Sequence, residues 1–285
     1  MIPTSFDYQR ATSIDDALAQ LQAAGEGAKF LAGGHSLVPL MKLRMSEPTG
    51  LVDIARIPEL AGIRAVDGAI EIGAGTTHAD VAASALLRER CPVIAEAAAE
   101  IGDPQVRNRG TLGGSLAHAD PAADYPPVIL ALDAEIHVRG LNGSRTIKAS
   151  EFFRDLFTVD LQEGELITHV RFAPANAAAY AKLHQRASHF AIVGVAAVIE
   201  VARGRFQSAR LALTGACSYA QRLTSVEQGL VGRPATAATV EAAVGDAGAG
   251  LVDVNSDIHA SAEYRRAMVP VFARRALTRA LERAS

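Results

Sequence analysis

Strand and helix signals alternate through the opening third of this sequence, and that alternation favours a layered α/β or α+β arrangement over a helical bundle or a β-sandwich. Ser13, followed by Asp15 and Asp16, reads as the cap and first turn of a helix carrying Ala17, Leu18 and Leu21 and ending at Gly25. Lys29–Ala32 is a short strand that runs into Gly33-Gly34-His35-Ser36, after which Leu37–Leu43 resumes a helical period. Leu51–Ile54 and Ala69–Gly73 read as further strands, Thr77–Arg90 as one capped helix, and Pro92–Ile101 as a helix with proline in its first turn. A short helix near Val128–Leu132 and strands at Glu135–Val138 and Glu165–Phe172 complete this part.

Around Pro174–Ala179 the chain loses both charge and period, and this marks a domain boundary: 1–176, with subdomains of about 1–57 and 58–176, then 177–285. Beyond it, 180–201 and 205–214 read as long strands of an antiparallel meander turning at Gly204. The last third is helical. Its final segment, Glu263–Arg283, carries six arginines that read as a solvated face, with Pro270 interrupting the helix.

At 285 residues and 49% hydrophobic content the chain is long enough for about two domains with real cores. The longest uncharged run, 13 residues from Ala187 to Ile199, is short of the roughly 20 needed to span a membrane. The first ten residues lack the basic and apolar segments of a signal peptide, so a cytoplasmic location is expected. A net charge of −3 provides no global field for nucleic acid. Cys91 and Cys217 are too far apart in sequence for a C-x-x-C motif, so no zinc ribbon or iron–sulfur cluster is expected from this chain alone, and no metal site is assigned.

Phosphate-binding loops are the strongest chemical signal. None of the four lysines follows a glycine, which excludes a Walker A loop, and Gly73-Ala74-Gly75 has His78 where a Rossmann fingerprint needs its third glycine. Two other loops share a shape: Ala32-Gly33-Gly34-His35-Ser36 and Thr111-Leu112-Gly113-Gly114-Ser115. Paired glycines let successive N–H groups converge on an anion without side chains in the way, and the helix starting at Leu37 adds its positive end. Two such cradles suit a pyrophosphate; two ordinary tight turns would look the same. Asp124 suits the hydroxyls of a ribityl or ribose chain, Asp120 before Pro121 sets a turn, and Arg107 and Arg109 either pair with phosphate or hold their turn. Cys91 at a helix start lacks a base, Cys217 packs in a strand, and there is no G-x-S-x-G elbow. Phosphate cradles without a protein nucleophile point to a cofactor that does the chemistry, and no catalytic residue is assigned.

Ala32–Leu37, the run Ile101–Ser115 and Ala119–Asp124, joined by Tyr180–Leu183, Phe190–Ala197 and the arginine-rich C-terminal helix, resemble the FAD-binding medium subunit of molybdenum hydroxylases, of the carbon monoxide dehydrogenase type. The resemblance covers nearly the whole chain. It implies an α+β, PCMH-type (vanillyl-alcohol-oxidase-like) FAD-binding fold of two α/β subdomains, followed by a three-stranded antiparallel sheet with a helical bundle. It carries cofactor-binding roles to Ala32, Gly33, Gly34, His35, Ser36 and Leu37, to Ile101 and Gly102, to Thr111, Leu112, Gly113, Gly114 and Ser115, and to His118, Asp124, Ile167, Lys182 and Phe190. The two loops would hold the FAD pyrophosphate, Asp124 the FAD chain, Ile101 and Ile167 would line it, and Lys182 and Phe190 would lie near the isoalloxazine. Phe190 departs from the hydroxyl- or indole-bearing aromatic common there, and His118 replaces a hydroxyl residue of more distant relatives.

The resemblance further implies non-covalent FAD here, with molybdopterin on a large partner subunit and two [2Fe–2S] clusters on a small one, assembled as a dimer of heterotrimers. Electrons would pass from the clusters through FAD to an external acceptor, with Lys182 favouring anionic reduced flavin by Coulomb attraction. A stand-alone flavin oxidoreductase lacks support, since there is no added substrate domain or acid/base pair. A flavin-free assembly module is disfavoured by the intact glycine loops. The substrate of the complex and the electron acceptor are not legible in this chain.

Overall fold

The computed structural model describes residues 2–284. It opens with a parallel three-stranded sheet in the order β1-β3-β2, from β1 (Asp7–Arg10), β2 (Lys29–Leu31) and β3 (Gly50–Asp53), connected through α1 (Ile14–Ala24) and α2 (Leu37–Lys42). Ser13 caps α1 by accepting from the Asp16 N–H at 3.1 Å, the acids at 15 and 16 lie in its first turn, and Gly25 ends it with φ at +75°. Ala17 and Leu18 of α1 pack with Val52, Ile57 and Leu60 in a small core.

The chain continues through β4 (Ile63–Val66) and β5 (Ala69–Gly73), then six helices: α3 (His78–Ala83), α4 (Ala85–Arg90), α5 (Pro92–Ala99), α6 (Pro104–Arg107), α7 (Leu112–His118) and α8 (Tyr125–Ala131). After them come β6 (Glu135–Gly140), β7 (Gly143–Lys148), α9 (Ala149–Phe152), a small hairpin of β8 (Phe153–Asp155) and β9 (Thr158–Val159), and β10 (Leu166–Phe172). Five of these strands form an antiparallel sheet, β4-β5-β10-β6-β7, whose inner face builds the main core with the helices. The single helix expected over 77–90 is broken at Ser84, whose backbone turns extended and whose hydroxyl caps α4 through the Leu87 N–H.

The last part holds β11 (Ala178–His184), β12 (Ala191–Ala202), β13 (Arg205–Thr214) and β14 (Gln221–Arg222), paired in that order, and then α10 (Thr224–Leu230), α11 (Ala237–Val244) and α12 (Ala262–Arg283). The expected strand over 180–201 is therefore two strands, with residues 185–190 forming the connection and His189 at a φ of +61°. The sheet also has a fourth, two-residue strand beyond the three implied by the resemblance. The turn at Gly204 is as expected, with Arg203 and Gly204 both at positive φ.

This sheet is buried on both faces. Even-numbered Ala178, Tyr180, Ala196 and Val198 join the main core, while odd-numbered Ala179, Ala181, Val195, Ala197 and Ile199 join a second core with α10–α12. Two-sided burial accounts for the near-continuous apolar run of β12.

Helix α12 runs unbroken through Pro270, against the expected interruption. Proline removes only the bond to the carbonyl of Arg266. That carbonyl lies against Gly248, where a Cβ would be 3.1 Å from the Arg266 carbonyl carbon. Buried Val269, Phe272, Ala273, Ala276 and Leu277 hold the helix on both sides of the proline. Nor are its arginines uniformly solvated: Arg265 is buried and donates to Ile192 O and Gly215 O, and Arg279 and Arg283 donate to Tyr180 O and Ala178 O. Guanidinium groups reach the ends of the adjacent sheet because their long stems pack along the helix. Among the described residues no helix is long and apolar enough to cross a membrane.

Candidate functional site

The two glycine loops meet backbone to backbone. Gly33 follows β2, and a Cβ built on it would lie 2.7 Å from the Arg109 carbonyl carbon and 2.8 Å from Gly110 Cα. Its missing side chain is thus required by the protein's own second loop, in addition to any ligand. Gly34 has φ +74°, which glycine adopts without strain. Among the described residues the N–H groups of Gly34, His35 and Ser36 have no hydrogen-bond partner, although the Gly34 and Ser36 carbonyls accept from Val38 and Leu40.

The second loop is built differently. Thr111 is the N-cap of α7, so its two glycines occupy a helix's first turn. The Leu112 N–H donates to Thr76 O at 3.0 Å, the Gly113 N–H to Ala74 O at 2.8 Å, and the Gly114 N–H to Thr111 Oγ1 at 3.1 Å. These three amides are committed within the chain, unlike those at 34–36. Gly113 is glycine because a Cβ would lie 2.5 Å from that of Ala74. His78 lies beneath Gly110, donating its backbone N–H to Gly110 O, with its ring nitrogen Nδ1 3.2 Å from the Tyr125 hydroxyl. Burial pushes its imidazole down to about 4, with His35 and Arg107 acting in the same direction, so it is neutral at pH 7.

Arg107 settles one alternative left open by the sequence: it donates to Ile101 O at 2.9 Å and Gly102 O at 3.0 Å, and so holds the turn. Asp120 likewise sets its turn, accepting from the Ala122 N–H at 2.9 Å. Neither Ala32–Leu37 nor Arg107–Ser115 contains an acidic residue, whereas His35, Arg107 and Arg109 do lie in them. Unengaged amides beside basic residues fit a phosphate-bearing group.

A buried polar assembly follows. Asp124 is 5% exposed; its Oδ2 accepts from Lys182 Nζ at 2.8 Å and its Oδ1 from the Tyr180 hydroxyl at 2.6 Å. Lys182 also donates to Glu100 O at 3.0 Å, next to Ile101. Burial pushes the Asp124 carboxyl up to about 6, in spite of the lysine and tyrosine that favour its ionised form. The Lys182 side chain is 1% exposed and its ammonium is paired with the Asp124 carboxylate. The loop carrying Asp124 is pinned to the C-terminal sheet. Thr214 Oγ1 donates towards Pro121 O and Ala123 O, the Gly215 N–H to Pro121 O, and the Ala191 N–H to Ala122 O.

Phe190, half exposed, precedes that last anchor at Ala191. Leu37 begins α2, and Ser115 lies in the first turn of α7. Two further residues of the expected set make contacts of their own within the chain. The Ile167 side chain packs in the main core opposite Val138, and the His118 ring packs on Phe157 with centroids 5.1 Å apart. Tyr180, Glu100 and Thr214 were not singled out by sequence reasoning. The alternation Tyr180-x-Lys182, which places both side chains on one strand face, was the available signal for Tyr180. Both thiols are buried, and burial pushes Cys91 up to about 12 and Cys217 up to about 11, leaving neither as a nucleophile. Among the described residues no three His, Cys, Asp or Glu side chains are grouped to hold a metal ion.

Residues 4–175 match the family described as the FAD binding domain in molybdopterin dehydrogenase, and residues 178–280 match the CO dehydrogenase flavoprotein C-terminal domain. The fold and site thus define an FAD-binding oxidoreductase chain. The chain is 40% identical to the carbon monoxide dehydrogenase medium chain of Hydrogenophaga pseudoflava, over 99% of each. It is 41% identical to subunit alpha of the 6-hydroxypseudooxynicotine dehydrogenase complex of Paenarthrobacter nicotinovorans, over 100% of this chain and 97% of that one. It superposes on the carbon monoxide dehydrogenase structure from H. pseudoflava with a TM-score of 0.95, over the full length of both chains. It belongs to the FAD-binding medium subunits of the molybdenum hydroxylase family, of the carbon monoxide dehydrogenase type, and its cofactor is FAD.

Proposed function

We propose that this chain is the electron outlet of a cytoplasmic, heterotrimeric molybdenum hydroxylase. Substrate is oxidised at a molybdopterin centre on the large subunit, and electrons arrive through [2Fe–2S] clusters on the small subunit. They leave from this chain to an external acceptor. The observation that carries the reading is the pairing of an anion-binding loop, whose amides at 34–36 are unengaged, with a buried Asp124 and no reactive thiol.

FAD, when bound, supplies the exchange between paired and single electrons. The protein's part is to hold it. The Gly34, His35 and Ser36 amides donate to the pyrophosphate, with the Thr111 and Ser115 hydroxyls beside them. Gly33 lets the first loop meet the backbone of Arg109 and Gly110, Leu112 and Gly113 tie the second loop to Thr76 and Ala74, and Ala32, Leu37, Ile101, Gly102 and Phe190 supply the flanking surface. Asp124, acceptor-only when ionised, takes hydroxyl donors of the FAD chain. We also propose units of 1–176 and 177–285, which the strand pairing supports, since among the described residues no sheet mixes strands from the two.

The test is an absorption spectrum of the purified chain with acid release of its chromophore, followed by affinity capture from a strain expressing all three subunits. Stoichiometric, acid-releasable FAD is expected, together with molybdenum- and iron-containing partners at the mass of a dimer of heterotrimers. A colourless chain that cannot be reconstituted with FAD would overturn the reading.

A further inference from the structure

Tyr180 has no place among the expected cofactor contacts, yet the surrounding structure is arranged around its hydroxyl. Gly194 faces it from the neighbouring strand, where Lys182 and Gly194 are cross-strand partners. A Cβ on Gly194 would fall on the hydroxyl itself, 3.1 Å from Tyr180 Cζ and 2.8 Å from Thr214 Cγ2. The Tyr180 backbone is clamped from both sides: its N–H donates to Glu96 Oε2 at 3.2 Å, and its carbonyl accepts from Arg279 at 3.1 Å. Its hydroxyl reaches Asp124 Oδ1 while Lys182 occupies Oδ2.

We infer that Tyr180 is a positioning residue of the cofactor site, acting through Asp124: it fixes the carboxylate so that one oxygen holds Lys182 and the second lone pair on each oxygen is left for ligand hydroxyls. The inference rests on the proposed role of Asp124 towards FAD. A carboxylate has about four acceptor positions, of which Tyr180 and Lys182 take one each. An ammonium has three protons, and Lys182 places two of them on Asp124 and Glu100 O. With the tyrosine donor in place the carboxyl is easier to ionise; burial and the charge of Glu100 oppose this, and Lys182 acts with Tyr180. The other groups beside it are the buried phenol of Tyr125 and the Thr214 hydroxyl, which is committed to Pro121 O and Ala123 O.

Tyr180→Phe in the full chain keeps the ring and removes only the hydroxyl. FAD affinity, followed by quenching of flavin fluorescence between pH 6 and 9, is expected to fall about tenfold at pH 7, the scale of one hydrogen bond to a charged group. It should recover towards the wild-type value at pH 9, because the lost donor raises the pH at which Asp124 ionises. Gly194→Ala, which displaces the hydroxyl with tyrosine still present, should shift the profile the same way. In the FAD-free chain, the Asp124 carboxyl titration, read by carbon-13 NMR and assigned with Asp124→Asn, should move upward in both variants. A pH-independent loss of affinity, or an unmoved carboxyl titration, would overturn the inference. A wild-type chain that takes no FAD would instead overturn the cofactor reading, with the NMR titration still deciding whether Tyr180 governs Asp124.

Discussion

Gly33→Ala separates two explanations for the first glycine pair. If glycine is present only so that a ligand can approach, the FAD-free protein should tolerate alanine. If it is present because the two loops pack backbone to backbone, the FAD-free protein should lose stability. The added Cβ would lie 2.7 Å from the Arg109 carbonyl carbon and 2.8 Å from Gly110 Cα. Carbon atoms sit comfortably at about 3.5–4.0 Å, so the loops must part by roughly 1 Å. Overpacking of this kind costs about 1–3 kcal/mol, which for a chain of this size lowers Tm by about 2–12 °C. The amides at 34–36 move with the loop, and the loss of even one charge-assisted bond weakens FAD binding at least about tenfold. The assay is a thermal melt of the FAD-stripped protein beside an FAD titration. Gly250→Ala is the control, because nothing lies within 4 Å of its Cβ position and it should melt at or slightly above wild type. A Gly33→Ala protein that melts with the control while losing FAD would refute the backbone-contact argument.

Lys182→Met should destabilise by about 3–5 kcal/mol at pH 8, since Asp124 is then buried without its counter-charge. The sign of the pH dependence follows from a folded-state carboxyl raised to about 6. Stability from that group is full below the unfolded value near about 4 and is lost as pH rises through 6, and the variant raises the folded value further. The deficit in urea melts should therefore shrink between pH 8 and pH 5; equal deficits would refute the pairing. Arg265→Met leaves the Ile192 and Gly215 carbonyls without their guanidinium and should cost about 2–5 kcal/mol by urea midpoint, whereas a solvated arginine would cost almost nothing. Native Cys91, raised to about 12, should resist iodoacetamide at pH 8 until the chain unfolds, and prompt labelling would contradict its burial.

The sequence was most legible where one residue type does one job. Ser13 and Gly25 delimit α1, Pro92 opens α5, and Ala69–Gly73 is a strand with the boundaries expected. It was least legible at sheet edges. β1 exposes all four residues and β7 buries only Ile147, so neither carries an apolar period, and both owe their existence to a neighbouring strand. Ser84 was hidden because a serine inside a helical period looks the same whether it faces solvent or caps a second helix. The glycine pairs share a shape in sequence but differ in build: Thr111 turns the second pair into a helix start whose amides are already engaged.

The proposed cofactor site draws on both proposed units. Among the described residues no strand pairing joins the proposed units, yet β11 and β12 deliver alternate residues to two cores, and the even-numbered set closes the main core of the first unit. Lys182 and Tyr180 belong to that set, so the alternation that buries Ala178 and Ala196 also aims a cation and a hydroxyl at Asp124. Thr214 and Gly215 at the end of β13 then hold the loop in which Asp124 lies. A one-residue slip in β11 would turn Lys182 and Tyr180 towards α12 and leave the Asp124 carboxylate buried without partners, so the register of this sheet is fixed by the chemistry of the site as well as by its apolar packing.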